Sequence, residues 1–312
     1  MSRVSGGSSA YLSRIPRSAL MSVPNHSRNG VLAGRSVGRI GYGAMQLEFE
    51  SDAVAVLRRA RELGVDHIDT AGFYGGGAVN ALIRRALHPY PGDLMLVDKI
   101  GAEHVEGGLV PAQQPAQLRA AVEADLRTLG AERLDVVNLR RVDNPPGIVA
   151  TGDQIVDLDD QLAELITLRD EGKIGAIGLS AVTADQLIRA APADIVCVQN
   201  LYNLLERTDD ALLGECAARA TAFVPFFPLG SGFSERAHVG AHPVVREIAD
   251  RLDVTPSQIA LAWLLARDPH ILLIPGTRSI EHLEQNMAAA RIRLDAQALA
   301  ALDGIAAAPA VG

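Results

Sequence analysis

An acid and a phenol, Asp69 and Tyr74, stand near the end of the run Val65-Asp66-His67-Ile68-Asp69-Thr70-Ala71-Gly72-Phe73-Tyr74-Gly75, just beyond what reads as a buried strand. A second apolar run, Leu94-Met95-Leu96-Val97-Asp98-Lys99, closes on a lysine, and of 29 basic residues only Lys99 and Lys173 are lysine. Position 99 therefore selects a compact, titratable ammonium, a part that an always-charged arginine cannot take. If the two runs are neighbouring parallel strands, Asp69 and Lys99 emerge at the same end and pair, with Tyr74 within reach of Lys99. A phenol ordinarily titrates near about 10, and a close ammonium favours the phenolate, making Tyr74 a better proton donor to a carbonyl oxygen. The same spacing also suits a strand-end ion pair beside an unrelated loop tyrosine.

The elements that must position these residues alternate along the chain. Val31 to Val37 reads as a small hairpin around Gly34, and Val37 to Tyr42 as a first strand. Helix 52–63, with Ser51 as N-cap and Gly64 as its stop, leads to strand 65–70 and helix 78–88, ended by Pro89 and Pro91. Strand 94–99, a Gly-rich loop, helix 116–129 stopped by Gly130, and strand 134–140 follow. A long loop over 141–157 precedes helix 159–171, strand 174–180, helix 183–190, strand 195–200 and helix 208–220. Strand 222–227 and a second long loop, 228–241, come next, and loops of this length are often functional. Helix 243–252 is followed by Thr255-Pro256-Ser257-Gln258, an N-cap, first-turn proline and capping-box glutamine for helix 256–267. Strand 271–274 and helices 279–290 and 296–306 complete the series.

Eight strand-helix units with mostly continuous apolar strands predict an α/β fold, a single-domain (β/α)8 TIM barrel over residues 31–312. A doubly wound sheet is the competing architecture, but no Gly-x-Gly-x-x-Gly follows the first strand. In a barrel the site lies at the C-terminal ends of the strands, where Asp69, Lys99, Ser180, Gln199 and Phe226 fall.

With 312 residues, 48% of them hydrophobic, the chain can bury a large core. The net charge of −8, with no basic block beyond the first segment, leaves no electrostatic footprint for nucleic acid. No apolar run approaches the roughly 20 residues that span a bilayer, so the expectation is a soluble, cytoplasmic protein without a membrane partner, and a homo-oligomer stays open. Cys197 and Cys216 form neither a disulfide framework nor a metal cluster, and the eight histidines lack ligand spacing, so no metal is expected. Residues 1 to about 30 are rich in Ser, Arg, Gly and Asn, with no acid before Glu48. They superficially match a transit peptide but read better as a disordered tail or an overlong start, with Met21 as an alternative initiator.

With those residues placed, the chain resembles the aldo-keto reductases over about residues 31 to 305. The likeness rests on His67-Ile68-Asp69-Thr70-Ala71 with Tyr74, Lys99, Gly178-Leu179-Ser180, Gln199-Asn200-Leu201-Tyr202-Asn203 and Ile274-Pro275-Gly276-Thr277-Arg278. Asp66 to Gly75 and Leu134 to Arg140 are most similar to the bacterial branch that includes pyridoxal reductases. The resemblance implies Tyr74 as general acid, Lys99 as the group that lowers its pKa, and Asp69 as the partner that fixes Lys99. It implies a nicotinamide cofactor and a small carbonyl substrate, with Ser180, Gln199 and, less directly, Asn200 holding the carboxamide and Phe226 under the ring. Leu229, Gly230 and Ser231 match the segment over the pyrophosphate, and Arg278, Gln285 and Asn286 match adenosine-phosphate contacts. Physics adds that Gly276, Thr277, Arg278 and Ser279 offer backbone N–H groups and a planar guanidinium to an anion at a helix start. That arginine favours NADP over NAD, although Arg278 could merely balance surface charge and Phe226 could merely be core.

One position departs from the family. A histidine usually ends the fourth strand, and here Arg140, followed by Arg141, takes its place. A guanidinium cannot shuttle a proton, but it can donate to a developing oxyanion or bind a substrate anion. The bacterial branch shares this arginine, so it is no mark of a dead site. From strand alternation Asn138 and Arg140 share a face, and Arg140 either reaches the barrel mouth or pairs with a loop acid such as Asp143. The expected activity is NADPH-dependent reduction of an aldehyde or ketone, with pyridoxal as the named candidate and a sugar-like or secondary-metabolite ketone next. The alternative is a non-catalytic NADP-sensing regulatory subunit on the same barrel. The two long loops are expected to wall the substrate pocket, which no long C-terminal tail closes.

Overall fold

The computed structural model describes residues 29–49, 52–143, 147–230 and 238–305. All but the end of the expected tail therefore lies outside the described residues, as do Ser51 and Ser231. Strands β1 (Asn29–Leu32) and β2 (Arg35–Gly38) form the hairpin around Gly34. Its turn residues Ala33 and Gly34 both have positive φ, 49° and 74°, the geometry whose twist matches antiparallel strands.

The central sheet is parallel and runs β3 (Tyr42–Gly43), β4 (His67–Asp69), β5 (Met95–Ile100), then, past a separate hairpin of β6 (Ala102–Val105) and β7 (Gly108–Pro111), β8 (Leu134–Arg140), β9 (Ile174–Ser180), β10 (Ile195–Gln199) and β11 (Ala222–Phe223). Residues 271–273 close it: Ile271 bridges Phe223 and Leu273 bridges Ile40, both parallel. Leu272 N–H donates to Phe223 O at 3.0 Å and Leu273 N–H to Arg39 O at 2.8 Å. Eight strands thus form a closed (β/α)8 barrel, which excludes the open doubly wound sheet.

Strand alternation divides the core in two. Met95 and Val97 point inward with Val136, Cys197, Val224 and Leu272, and Leu32 and Val37 of the β1–β2 hairpin pack onto this cluster. Leu96 and Ile100 point outward into the larger layer between barrel and helices. The helices are α1 (Ala53–Glu62), α2 (Ala78–Leu87), α3 (Pro115–Leu129), α4 (Leu158–Asp170), α5 (Ala184–Arg189), α6 (Asp210–Ala218), α7 (Pro243–Leu252), α8 (Pro256–Arg267), α9 (Ile280–Ala288) and α10 (Ala296–Asp303). Among the described residues no helix is long and apolar enough to cross a membrane.

Local signals act as expected at several ends. Gly130 takes φ 69° and stops α3, with Ala131 N–H reaching Leu126 O at 3.0 Å. Thr255 and Gln258 cap α8 reciprocally, at 3.2 and 2.9 Å. Three segments differ from the expectation. The first strand is split, because Val37 belongs to the hairpin while Arg39 bonds the carbonyls of Ile271 and Asp268 and only then does the chain enter the barrel. The Gly-rich loop after Lys99 contains the β6–β7 hairpin, which turns at Glu106 and Gly107, with Gly107 and the paired Gly108 both at positive φ. The seventh strand ends at Phe223 instead of Phe227. Phe223 N–H donates toward the closing strand, and Pro225, the next residue facing that way, has no N–H.

Candidate active site

The C-terminal ends of the strands gather several buried polar residues. Arg140, Ser180 and Gln199 are register partners across β8, β9 and β10. One layer below, Lys99 pairs in register with Asn138, and Asn138 Oδ1 accepts from Cys197 Sγ at 3.1 Å. Gly178 makes room for that amide, since a Cβ there would stand 2.0 Å from Asn138 Oδ1.

Lys99 is the hub. Its Nζ donates to Asp69 Oδ1 and to the Tyr74 hydroxyl, each at 3.1 Å, and all three residues come from the two segments singled out in the sequence. Asp69 and Lys99 are buried, and Tyr74 is half-buried beneath the solvent-facing rim. Burial works to lower the Lys99 pKa, but the Asp69 carboxylate and the Tyr74 phenol outweigh it and hold the ammonium charged, above its ordinary value. For Tyr74 burial is the largest influence and pushes the phenol up; Lys99 pulls it down, Asp69 pushes it up and Arg140 pulls it down, with a net rise. This net direction differs from the sequence expectation, which weighed the ammonium without the desolvation of the phenol. A phenol so held stays protonated at neutral pH and keeps its proton to give.

Gln199 meets the same carboxylate: its Nε2 donates to Asp69 Oδ2 at 2.6 Å. Gln199 Oε1 is buried and has no hydrogen-bond partner among the described residues. Asn200 is spent differently, with Oδ1 accepting from Val182 N–H at 3.1 Å and Nδ2 donating to Val182 O and Asp209 Oδ2, both at 2.8 Å. Its amide holds β10 to the start of α6.

The Arg140 guanidinium is half-buried and lies 5.8 Å from the Phe73 ring centre. Burial lowers its pKa and the neighbouring Tyr74 raises it. Asp143 does not pair with it: Arg141 takes that acid with two bonds, Nε to Oδ2 at 2.9 Å and a second nitrogen to Oδ1 at 2.7 Å. Among the described residues Arg140 makes no side-chain hydrogen bond or ion pair. Beside it Ala71, Phe73 and Ala102 form an apolar cluster with Leu109 and Ile148, so the β6–β7 hairpin and Ile148 meet at Phe73. Sequence reading passed over Phe73, Leu109 and Ile148; the one available signal was the turn pair Gly107-Gly108, set between Val105 and Leu109.

On the far side, Phe226 is half-buried, edge-on to Phe227, and its N–H donates to Asn200 O at 2.9 Å. Leu229 accepts from Val239 N–H at 3.2 Å and Gly230 has φ 88°, while Ser231 lies outside the described residues. Gly276 answers a packing need, because a Cβ there would meet Gly43 O at 2.8 Å. Thr277 Oγ1 accepts from Ser279 N–H at 3.1 Å, and Thr277 O accepts from Tyr42 OH at 2.6 Å. Arg278 is exposed and its guanidinium makes no hydrogen bond or ion pair among the described residues. On α9, Gln285 Nε2 bonds Glu281 at 3.2 Å and Asn286 is buried.

A closed barrel with an acid, a lysine and a tyrosine bonded together at its C-terminal mouth is a defined class of site. The chain belongs to the Aldo/keto reductase family, whose model matches residues 39–307. It is 45% identical over 290 residues to the pyridoxine 4-dehydrogenase of Escherichia coli (strain K12), covering 89% of this chain and 98% of that one. Among solved structures it is similar to an aldo/keto reductase from Klebsiella pneumoniae in complex with NADP and acetate, at 27% identity and TM-score 0.77, over 91% of this chain and 97% of the other. An aldo-keto reductase from the same organism in complex with NADPH aligns with equal identity and TM-score over 91% and 96% of the two chains.

Proposed function

We propose that this protein reduces an aldehyde or ketone to an alcohol with NADPH, Tyr74 serving as general acid. The observation that carries the reading is the placement of Lys99 Nζ 3.1 Å from both Asp69 and the Tyr74 hydroxyl at the barrel mouth. NADP(H), when bound, supplies the hydride and the redox chemistry. The residues present fit that group. Gln199 Oε1, buried and without a donor, suits the N–H of a carboxamide. Arg278, exposed at the start of α9, suits an anionic phosphate. Ser180, the register partner of Gln199, is proposed to share the carboxamide, Phe226 to lie under the ring, and Leu229, Gly230, Gly276, Thr277, Gln285 and Asn286 to serve the phosphates, as the family resemblance implies. Asn200 contributes by holding the β10 end in place.

The chain's own part is proton delivery. Tyr74 donates its hydroxyl proton to the carbonyl oxygen, and Lys99, kept charged by Asp69, stabilises the phenolate left behind. Arg140, whose side chain makes no hydrogen bond among the described residues, stands near Tyr74, where it can meet the developing oxyanion. The substrate proposed first is pyridoxal, supported by the likeness to the pyridoxine 4-dehydrogenase. Polar cyclic and secondary-metabolite carbonyls come next, with Leu109 of the β6–β7 hairpin and Ile148 bounding the space beside Phe73. The test is NADPH oxidation with pyridoxal and a panel of aldehydes and ketones: pyridoxal turnover above the panel is expected, and NADPH binding with no turnover of any compound overturns the reading.

A further inference from the structure

Behind the Lys99–Tyr74 contact lies a second polar cluster, buried away from the mouth and unused by the proton transfer. Asp98 precedes Lys99 on β5 and points the opposite way, toward α3, where the carboxyl of Asp125 lies against it. Both are buried, and neither Asp98 oxygen has a hydrogen-bond partner of normal geometry among the described residues. Asp125 Oδ1 accepts from Asn80 Nδ2 of α2 at 2.9 Å, and Asn80 Oδ1 accepts from Thr70 Oγ1 at 2.7 Å. The Gly72 N–H also faces Asp125 and favours its carboxylate. That approach is close enough to require glycine, since a Cβ on Gly72 would stand 2.2 Å from Asp125 Oδ1. Thr70 and Gly72 belong to the segment that carries the chain from Asp69 to Tyr74.

Two carboxylates facing each other out of water cannot both be ionised, and the acid that keeps its proton becomes the missing donor. We propose that Asp98 and Asp125 share one proton and, through it, position the Tyr74 loop against the strand that carries Lys99. Asp125 holds the loop by Gly72 and Asn80; Asp98 holds Asp125 to β5. They are positioning residues, acting through Tyr74 and Lys99, and the inference rests on the reductase reading of those two. Burial raises both carboxyls above the ordinary range. Among the described residues, the charged or titratable groups acting on this cluster are the pair itself and Lys99 on the opposite strand face; Asn80 and the Gly72 N–H are neutral.

Two measurements test it. Infrared spectroscopy of the wild-type protein with isotope-labelled aspartate at neutral pH should reveal a protonated carboxyl that disappears in Asp98→Asn; a spectrum without that band overturns the shared proton. In steady-state reduction, Asp98→Ala should lower kcat about tenfold or more with KM changed less than about twofold, because the loss is one of alignment at the reacting centre. Asp98→Asn keeps a permanent donor to Asp125 and should restore kcat to within about threefold of wild type, as loss of one neutral hydrogen bond would be avoided. Undiminished kcat in Asp98→Ala, or equal losses in both variants, overturns the positioning role. Should Asp98→Ala not fold, the wild type and Asp98→Asn still decide. A wild type without turnover sinks the reductase reading separately, and the infrared band then decides the carboxyl pair on its own.

Discussion

Gln199 Nε2 stands 2.6 Å from Asp69 Oδ2, while Lys99 holds the other oxygen of the same carboxylate at 3.1 Å. One buried acid therefore joins the side chain proposed to hold the carboxamide to the ammonium that adjoins the phenol. Gln199→Leu keeps most of the volume and removes both amide contacts. It should weaken NADPH binding about tenfold, the cost of leaving one buried polar partner unmet, and lower kcat as well. A fluorescence titration that gives an unchanged NADPH dissociation constant would contradict the link.

Tyr74→Phe should abolish reduction while leaving NADPH affinity nearly intact, since the phenol acts on the carbonyl. Retention of most of kcat would mean that another group is the acid. The pH profile carries a second check. Burial holds the phenol above its ordinary value of about 10, so Tyr74 stays protonated, and competent as an acid, through neutral and mildly alkaline pH. The kcat for reduction should fall only above that value. Lys99 pulls the phenol down, so in Lys99→Met the remaining activity should show its alkaline limb at higher pH than wild type. A limb that moves to lower pH would be inconsistent with Lys99 as the neighbouring cation.

Arg278→Ala should remove most of the preference for NADPH over NADH. The exposed guanidinium makes no internal bond among the described residues, so its loss should be felt in binding and not in folding. A charge-assisted contact is worth about 1.5 to 3 kcal/mol. Equal wild-type affinities for the two cofactors would sink this prediction, and a lowered melting temperature in the variant would assign Arg278 to the fold.

Arg141 takes Asp143, which leaves the Arg140 guanidinium without an ion pair among the described residues. If Arg140 stabilises the developing oxyanion, Arg140→Met should lower kcat by about 10²-fold, as for the loss of one oxyanion donor. If it binds a substrate anion, the loss should appear in KM and vanish with uncharged substrates. Unchanged kinetics with charged and neutral carbonyl compounds alike would make it a structural cation packed on Phe73.

Much of this protein is written in short-range signals. Thr255 and Gln258 start a helix by satisfying its first N–H groups, with Pro256 at its first turn, Gly130 ends one by entering a left-handed backbone region that other residues enter at a cost, and apolar runs between them read as buried parallel strands. Such signals act within a few residues, so the alternation of strand and helix, and from it the barrel, is legible in the chain. Asp69, Tyr74 and Lys99 were legible too, because a lysine and an acid at the ends of consecutive strands must meet once those strands pair. Contacts set by non-local packing were not. Gln199 reaches Asp69 across 130 positions, and only barrel closure decides which side of that amide is left without a donor. The choice between Arg140 and Arg141 for Asp143 depends on which way each side chain leaves the strand end. Asp98 was visible as a charge inside an apolar strand, but its partner Asp125 is known only from how α3 lies on β5. Burial, which raises the Tyr74 phenol against the pull of its ammonium, is a property of the folded surroundings and has no local sequence signature.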